Sequence, residues 1–384
     1  NGILIWQDFM FACSLYPGDK IFIDNVRQEI SDNVKRLRNH PCIALWCGNN
    51  EIHTAWNDWG WKAEVNFKSR ELADKIYSDY ELLFNKTIPQ VLKETDPSRP
   101  YWPSSPMASY DQKAGDLNSG DMHYWDVWHF EKPFSEYEKN VGRFMSEYGF
   151  QSFPELRSVE QYTKPSDRDI ESEVMLAHQR HPRGNQLIKK YMSMYYKRPE
   201  TFEGMLYVGQ VLQAEGIKRA IEAHRSARPH CMGTLYWQLN DCWPVASWSS
   251  IDYYGRWKAL HYFVKKAYSP VSIITRVQDS SLHISIVNDL LIPKSIELNI
   301  QLIDFNGDEL WKTLKHFDIA GNSASNISIN LEDAHIDEKL KSGSFVLVKA
   351  INDSSILPSI NYFKDVKDLD LLRPNIILII TPSV

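Results

Sequence analysis

Two carboxylates in this sequence each close an apolar run. In Ile43-Ala44-Leu45-Trp46-Cys47-Gly48-Asn49-Asn50-Glu51 the run stops at a glycine, two amides and an acid, and Phe144-Met145-Ser146-Glu147-Tyr148-Gly149 runs apolar into a second acid and a glycine. An acid held near apolar and aromatic groups keeps its proton to higher pH than in water and can donate it. An ionised partner beside it can attack as a nucleophile. Taken alone, the stretch at 43–51 equally fits a core strand ending in a solvated turn, with Gly48 freeing the backbone to turn. Four other stretches end similarly: Trp6-Gln7-Asp8, Tyr101-Trp102-Pro103-Ser104-Ser105, Asp121-Met122-His123-Tyr124-Trp125 and Trp237-Gln238-Leu239-Asn240-Asp241.

The elements that would position these groups follow from periodicity. Residues 43–47 are apolar without alternation and too short for a helix, so they read as a strand covered on both faces, as in a parallel sheet. Residues 3–6 repeat the pattern. Between them, Ile21, Val26, Ile30, Val34 and Leu37 mark a helix over 22–38 that Asn39-His40-Pro41 ends, where His40 orders the helix end. A second helix spans 69–94 and stops at Asp96-Pro97, and further helices are expected at 184–196 and 201–226. Six strands with polar tips, separated mostly by helices, predict an α/β fold: strands three to eight of a (β/α)8 TIM barrel whose functional groups gather at the strand C-termini. Six strands do not close a barrel. The first two are therefore expected upstream of Asn1, and these residues by themselves are expected to be poorly folded or inactive. From Val271 the texture changes to strict alternation, as in Leu282-His283-Ile284-Ser285-Ile286-Val287, with turns at Asn306-Gly307 and Gly321-Asn322. That predicts an all-β, immunoglobulin-like sandwich. The expected domains are 1–268 and 269–384, the latter including an apolar run at 375–380.

Composition excludes several classes of partner. A net charge of −6 offers no basic footprint for nucleic acid, and no stretch reaches the length of a membrane span. Thirteen Trp are many for 384 residues; beside polar groups they suit stacking on the apolar faces of sugar rings, and they also fill large cores. Five Cys lack metal-ligand spacing and read mostly as buried thiols. Sequons at Asn85, Asn326 and Asn352 fit passage through the secretory pathway.

Two carboxylates at the tips of different barrel strands are the minimum for glycosidic cleavage, about 5–5.5 Å apart for a retaining mechanism and about 6.5–9.5 Å for an inverting one. At this point a resemblance adds to the reading. The stretches Trp-Gln-Asp-Phe-Met-Phe-Ala-Cys (6–13), Leu-Arg-Asn-His-Pro (37–41), Trp-Cys-Gly-Asn-Asn-Glu (46–51), Phe-Met-Ser-Glu-Tyr-Gly-Phe-Gln-Ser-Phe-Pro (144–154) and Trp-Gln-Leu-Asn-Asp-Cys-Trp-Pro (237–244) resemble the β-mannosidases of glycoside hydrolase family 2. The resemblance covers roughly 1–268 and implies a retaining exo-glycosidase that removes terminal β-linked mannose from oligosaccharides without metal or other cofactor. It implies Glu51 as acid/base, Glu147 as nucleophile, Asn50 on the sugar 2-hydroxyl, and Trp59, His123, Trp125 and Trp237 around the sugar. Trp6 and Asp8 could join the same wall or simply order their neighbours. It further implies upstream domains in the same polypeptide, a β-mannoside oligosaccharide as partner, and lysosomal residence, with secretion or a bacterial periplasm as alternatives. Another family 2 exo-glycosidase, a β-galactosidase or β-glucuronidase, and a non-catalytic carbohydrate-binding relative are the competing functions.

Overall fold

The computed structural model describes residues 2–109, 113–278 and 281–372. They form two compact units, one of Asn1–Tyr124, Asn140–Tyr148 and Gly233–Leu235, the other of Trp125–Lys139, Gly149–Met232 and Tyr236–Val384.

The first unit carries five short strands and the helices between them. Strand β1 (Ile5–Asp8) leads to helix α1 (Lys20–Leu37), whose first turn is capped by Asp19 accepting from the Phe22 N–H at 3.0 Å. Ile23, Val26, Ile30 and Val34, at helical spacing, bury its inner face. Strand β2 (Ile43–Cys47) follows, then α2 (Ile52–Asp58), α3 (Trp61–Lys68), α4 (Arg70–Tyr80), a π-helical turn at Glu81–Thr87 and α5 (Ile88–Thr95). Strands β3 (Tyr101–Trp102), β4 (Met122–His123) and β5 (Met145–Glu147) complete the unit. β1, β2 and β3 form one parallel sheet in that order, and β4 pairs parallel with β5. Phe9, Trp46, Leu83, Phe84, Ile88 and the α1 face share one core. Parallel pairing places every strand's C-terminal end at the same edge of its sheet, which is where the polar residues lie.

Several expectations shift. β1 starts two residues later than 3–6, because Ile3 and Leu4 stay exposed. The long helix of 69–94 keeps its path but changes from α to π at 81–87, and α2 and α3 occupy a stretch in which no helix was anticipated. The sixth strand, expected over 233–241, is reduced to one parallel bridge of Thr234 with Met145, flanked by hydrogen bonds from Met145 N–H to Gly233 O and from Leu235 N–H to Met145 O. Beyond Leu235 the backbone turns away from ladder pairing, its hydrogen bonds going to 248–251 instead.

The second unit contains helices Gly184–Tyr195, Phe202–Ser226 and Ala259–Ala267 and an antiparallel sandwich. Its strands are β6 (Val271–Gln278), β7 (Ser281–Asn288), β8 (Lys294–Asp304), β9 (Glu309–Ile319), β10 (Ser323–Asn330), β11 (Ser344–Ala350) and β12 (Ser359–Tyr362). One sheet runs β10-β7-β6 and the other β12-β11-β8-β9. Alternate residues Leu282, Ile284 and Ile286 meet Ile296, Leu298, Ile300, Leu302, Val346 and Val348 in the core. The β8–β9 turn places Gly307 at φ 97°, as Asn-Gly predicts. The apolar run at 375–380 lies outside the described residues. Among the described residues no helix is long and apolar enough to cross a membrane.

Candidate active site

Glu51 stands where β2 gives way to α2, and local chemistry holds it there. Gly48 does not take a left-handed turn; a side chain at this position would collide with the Pro103 carbonyl and the Tyr101 hydroxyl, so close approach to β3 demands glycine. The fully buried Asn49 then fastens the corner. Its amide donates to Pro103 O at 2.9 Å, and its oxygen accepts from Ser104 Oγ at 2.8 Å and from the Ile52 N–H at 3.1 Å. Asn49 therefore caps the turn into α2. Glu51 follows with backbone angles φ 63° and ψ 3°, left-handed for a residue with a side chain. Its N–H donates to Ser105 O at 2.7 Å.

Glu147 reaches the same place from β5. The β4–β5 register sets it beside His123, and the Tyr124 N–H donates to Glu147 O at 2.8 Å. Both acids are buried, each 9 % exposed. His123 joins them: its Nδ1 is 2.8 Å from Glu51 Oε1 and 3.7 Å from Glu147 Oε2. The three groups bring one donor atom each within 4.8 Å of one another, a spacing that hydrogen bonding through the imidazole accounts for.

Three further residues complete the cluster. Cys13, itself left-handed at φ 43°, accepts from Asn50 Nδ2 at 3.8 Å through Sγ, and its S–H lies 3.3 Å from Glu51 Oε2. Burial, and then the nearby Glu51, push the Cys13 thiol up to about 12, so it remains an S–H donor at neutral pH. Behind His123, Ser105 Oγ is 2.9 Å from Nε2 and 2.6 Å from Asp121 Oδ2. Asp121, nearly fully buried, also accepts from Ser146 Oγ at 2.6 Å, Trp102 Nε1 at 2.8 Å and the Met107 N–H at 2.9 Å. Asp8 accepts from Trp6 Nε1 at 2.9 Å, and burial raises its carboxyl above the usual carboxylate range.

Of the residues expected from sequence, Glu51, Glu147, His123 and Asn50 thus lie in one constellation. Trp59 ends α2, half-exposed, with its ring edge-on to Trp61 at 6.1 Å. Trp125 and Trp237 belong to the second unit. Within it, Trp125 packs edge-on against Trp248 at 6.0 Å, and both Trp125 and the Trp237 carbonyl crowd Gly149, so that a side chain there would collide with them. Cys13, Ser105 and Asp121 were not singled out from sequence. Cys13 and Ser105 nevertheless sit at the polar end of an apolar run, the signal that did single out Glu51, whereas Asp121 follows a polar stretch and precedes β4.

Comparison with known proteins follows the same lines. Residues 280–368 match the Mannosidase Ig/CBM-like domain. A β-mannosidase of Capra hircus is 36% identical over 330 residues, covering 80% of this chain and 37% of the relative. A β-mannosidase B of Thermothelomyces thermophilus is 36% identical over 72% of this chain and 34% of its own length. The chain thus spans about a third of the length of these curated relatives. Among solved structures, the β-D-mannosidase of Dictyoglomus thermophilum superposes with a TM-score of 0.84 at 34% identity, covering 96% of this chain and 44% of that one. An exo-chitosanase of Amycolatopsis orientalis, 15% identical, shares the fold with a TM-score of 0.68, over 94% of this chain and 42% of its own.

Proposed function

We propose, for a chain that belongs to the β-mannosidases of glycoside hydrolase family 2, that Glu51 and Glu147 are the acid/base and nucleophile of a retaining exo-β-mannosidase. The observation that carries this reading is the separation of the two acids, whose carboxylate oxygens approach within 4.8 Å. That is shorter than the about 6.5–9.5 Å between the acids of an inverting enzyme and supports the retaining arrangement. In the first step Glu147 attacks C1 of the terminal mannose while the glycosidic oxygen takes a proton from Glu51. In the second, Glu51 removes a proton from water, whose oxygen displaces Glu147 from C1 and releases mannose.

Asn50 is assigned to the sugar 2-hydroxyl, and by the family resemblance Trp59, His123, Trp125 and Trp237 are the candidates for the sugar's surroundings. Strands β1 to β5 and the bridge at Thr234 are read as strands three to eight of a (β/α)8 barrel, with the boundary to the sandwich near 269. A lysosomal or secreted setting suits the sequons. Asn326 and Asn352 are exposed, whereas Asn85 is half-buried in a helical turn and Thr87 fully buried, so the first sequon is the least accessible.

The test is turnover by the whole protein of nitrophenyl β-mannoside against the β-galactoside and β-glucuronide, together with Glu147→Gln. Preference for the mannoside, with loss of at least about a thousandfold in kcat and retained sugar binding in the variant, is expected. Preference for another sugar would reassign the substrate, and unchanged turnover in the variant would remove Glu147 from the mechanism.

A further inference from the structure

The hydrogen bonds around His123 fix more than its position. Asp121 is surrounded by donors and accepts from two hydroxyls, two N–H groups and nothing else among its hydrogen-bond partners above. The Ser105 hydroxyl, 2.6 Å from Asp121 Oδ2, therefore spends its hydrogen on that carboxylate and has only lone pairs to offer His123. Nε2 of His123 must then be the N–H, donating to Ser105 Oγ at 2.9 Å. What remains is Nδ1, which faces Glu51 Oε1 at 2.8 Å and Glu147 Oε2 at 3.7 Å. A bare lone pair there would point at two acids. One proton must lie between His123 and Glu51, and either the imidazole carries it as a cation or Glu51 carries it as a neutral acid.

We propose, resting on the reading of Glu51 as acid/base, that this proton is stored on His123 Nδ1 in the free protein, with Asp121 and Ser105 as the positioning residues that keep it there. The charges decide between the two placements. Facing the ring are Glu51 from the start of α2 and Glu147 from β5; Asp121 lies behind it, and Asp8 at the end of β1 and the neutral thiol of Cys13 lie nearby. No cation stands among these named groups, so an imidazolium is the one positive charge in a set of acids. Burial opposes the charge on His123, but Glu147, Glu51 and Asp121 outweigh it and hold the ring above its ordinary value.

The proton then has a closed route. The Nδ1–H bond breaks as Glu51 Oε1 takes the proton, leaving neutral His123. The glycosidic oxygen next takes it from Glu51 as the C1–O bond breaks and Glu147 bonds to C1. In the second half, water gives a proton to Glu51 and its oxygen to C1, Glu147 leaves as a carboxylate, and the proton returns from Glu51 to Nδ1. Glu51 thus enters the deglycosylation step as a carboxylate, with its proton store empty and ready to be refilled.

Two measurements test this. Ring-nitrogen NMR of histidine-labelled protein at pH 7, with His123 assigned by its loss in His123→Gln, is expected to show both nitrogens protonated; a neutral ring protonated on Nε2 alone would overturn the proposal. Kinetically, the competent free protein must keep the stored proton, so its loss sets the alkaline limb of the kcat/KM profile. Asp121→Asn and Ser105→Ala weaken the hold on that proton, and the limb is expected to move down by about one pH unit while the acid limb stays. Ser105→Thr, which keeps the hydroxyl, is expected to restore it. A lower rate with both limbs in place would mean a structural role only and would also overturn the proposal. The NMR reading needs no turnover. A neutral ring in a protein that hydrolyses β-mannoside therefore defeats the proton store alone, whereas absent hydrolysis defeats the substrate reading.

Discussion

Cys13 shows how a side chain's neighbours can reverse what its exposure suggests. The residue as a whole is exposed, as is Cys242, yet its sulfur is shielded from water against Glu51, and that shielding, with the nearby carboxylate, pushes the thiol up to about 12. The nucleophile in alkylation is the thiolate. At pH 7.5 Cys13 should therefore react with iodoacetamide on the order of a thousandfold more slowly than an ordinary exposed thiol, and peptide mass spectrometry of a time course would measure the difference. The same residue marks the limit of what the sequence discloses at this scale. Glu51 and Glu147 were legible because each interrupts an apolar run, a purely local signal. Cys13, Ser105 and Asp121 act through pairs distant in the chain, Cys13 with Glu51 and Ser105 with His123, and nothing local predicts which strand ends will be neighbours.

At the scale of elements, the β2–α2 corner depends on the close approach of two strands. Gly48 passes so near the Pro103 carbonyl and the Tyr101 hydroxyl that any Cβ must push β2 and β3 apart. Gly48→Ala is expected to destabilise the fold by about 1–3 kcal/mol, the usual range for overpacking, and denaturant unfolding would read it. Helices were the easiest elements to read: the buried positions of α1 and of Phe202–Ser226 follow the periodicity over many turns. The stretch 233–241 was misleading. Its apolar residues fit a strand, but only Thr234 finds a partner in β5, because the following residues hydrogen-bond to 248–251. Local pattern fixes what a segment can be, and competition for partners fixes what it becomes.

For the molecule as a whole, stability should depend on pH through groups remote from the acids. Glu222, on the helix Phe202–Ser226, is raised to about 7, chiefly by burial, with Lys218 opposing. An acid whose folded value lies above its unfolded value of 4.5 binds more protons in the folded state between the two. Its contribution to stability is thus full below pH 4.5 and declines as pH rises to 7. Glu222→Gln is expected to melt higher than the parent at pH 7.5 and to coincide with it near pH 4.5; calorimetry across that window checks the sign. The sandwich was legible from alternation alone, and the matched domain at 280–368 falls within it. The parallel strands were legible as elements, while the pairing of β1, β2 and β3 in one sheet and of β4 with β5 depends on partners that sequence periodicity does not encode. One local feature also has consequences for the whole. The left-handed backbone at Glu51 costs a residue with a side chain about 1–2 kcal/mol relative to glycine. Selection for heat resistance alone would therefore favour glycine or asparagine at this codon, and, with Glu51 as the proposed acid/base, selection for turnover is expected to restore glutamate. Libraries sorted by melting temperature and libraries sorted by hydrolysis should diverge here, which makes position 51 a place where evolutionary pressures can be separated.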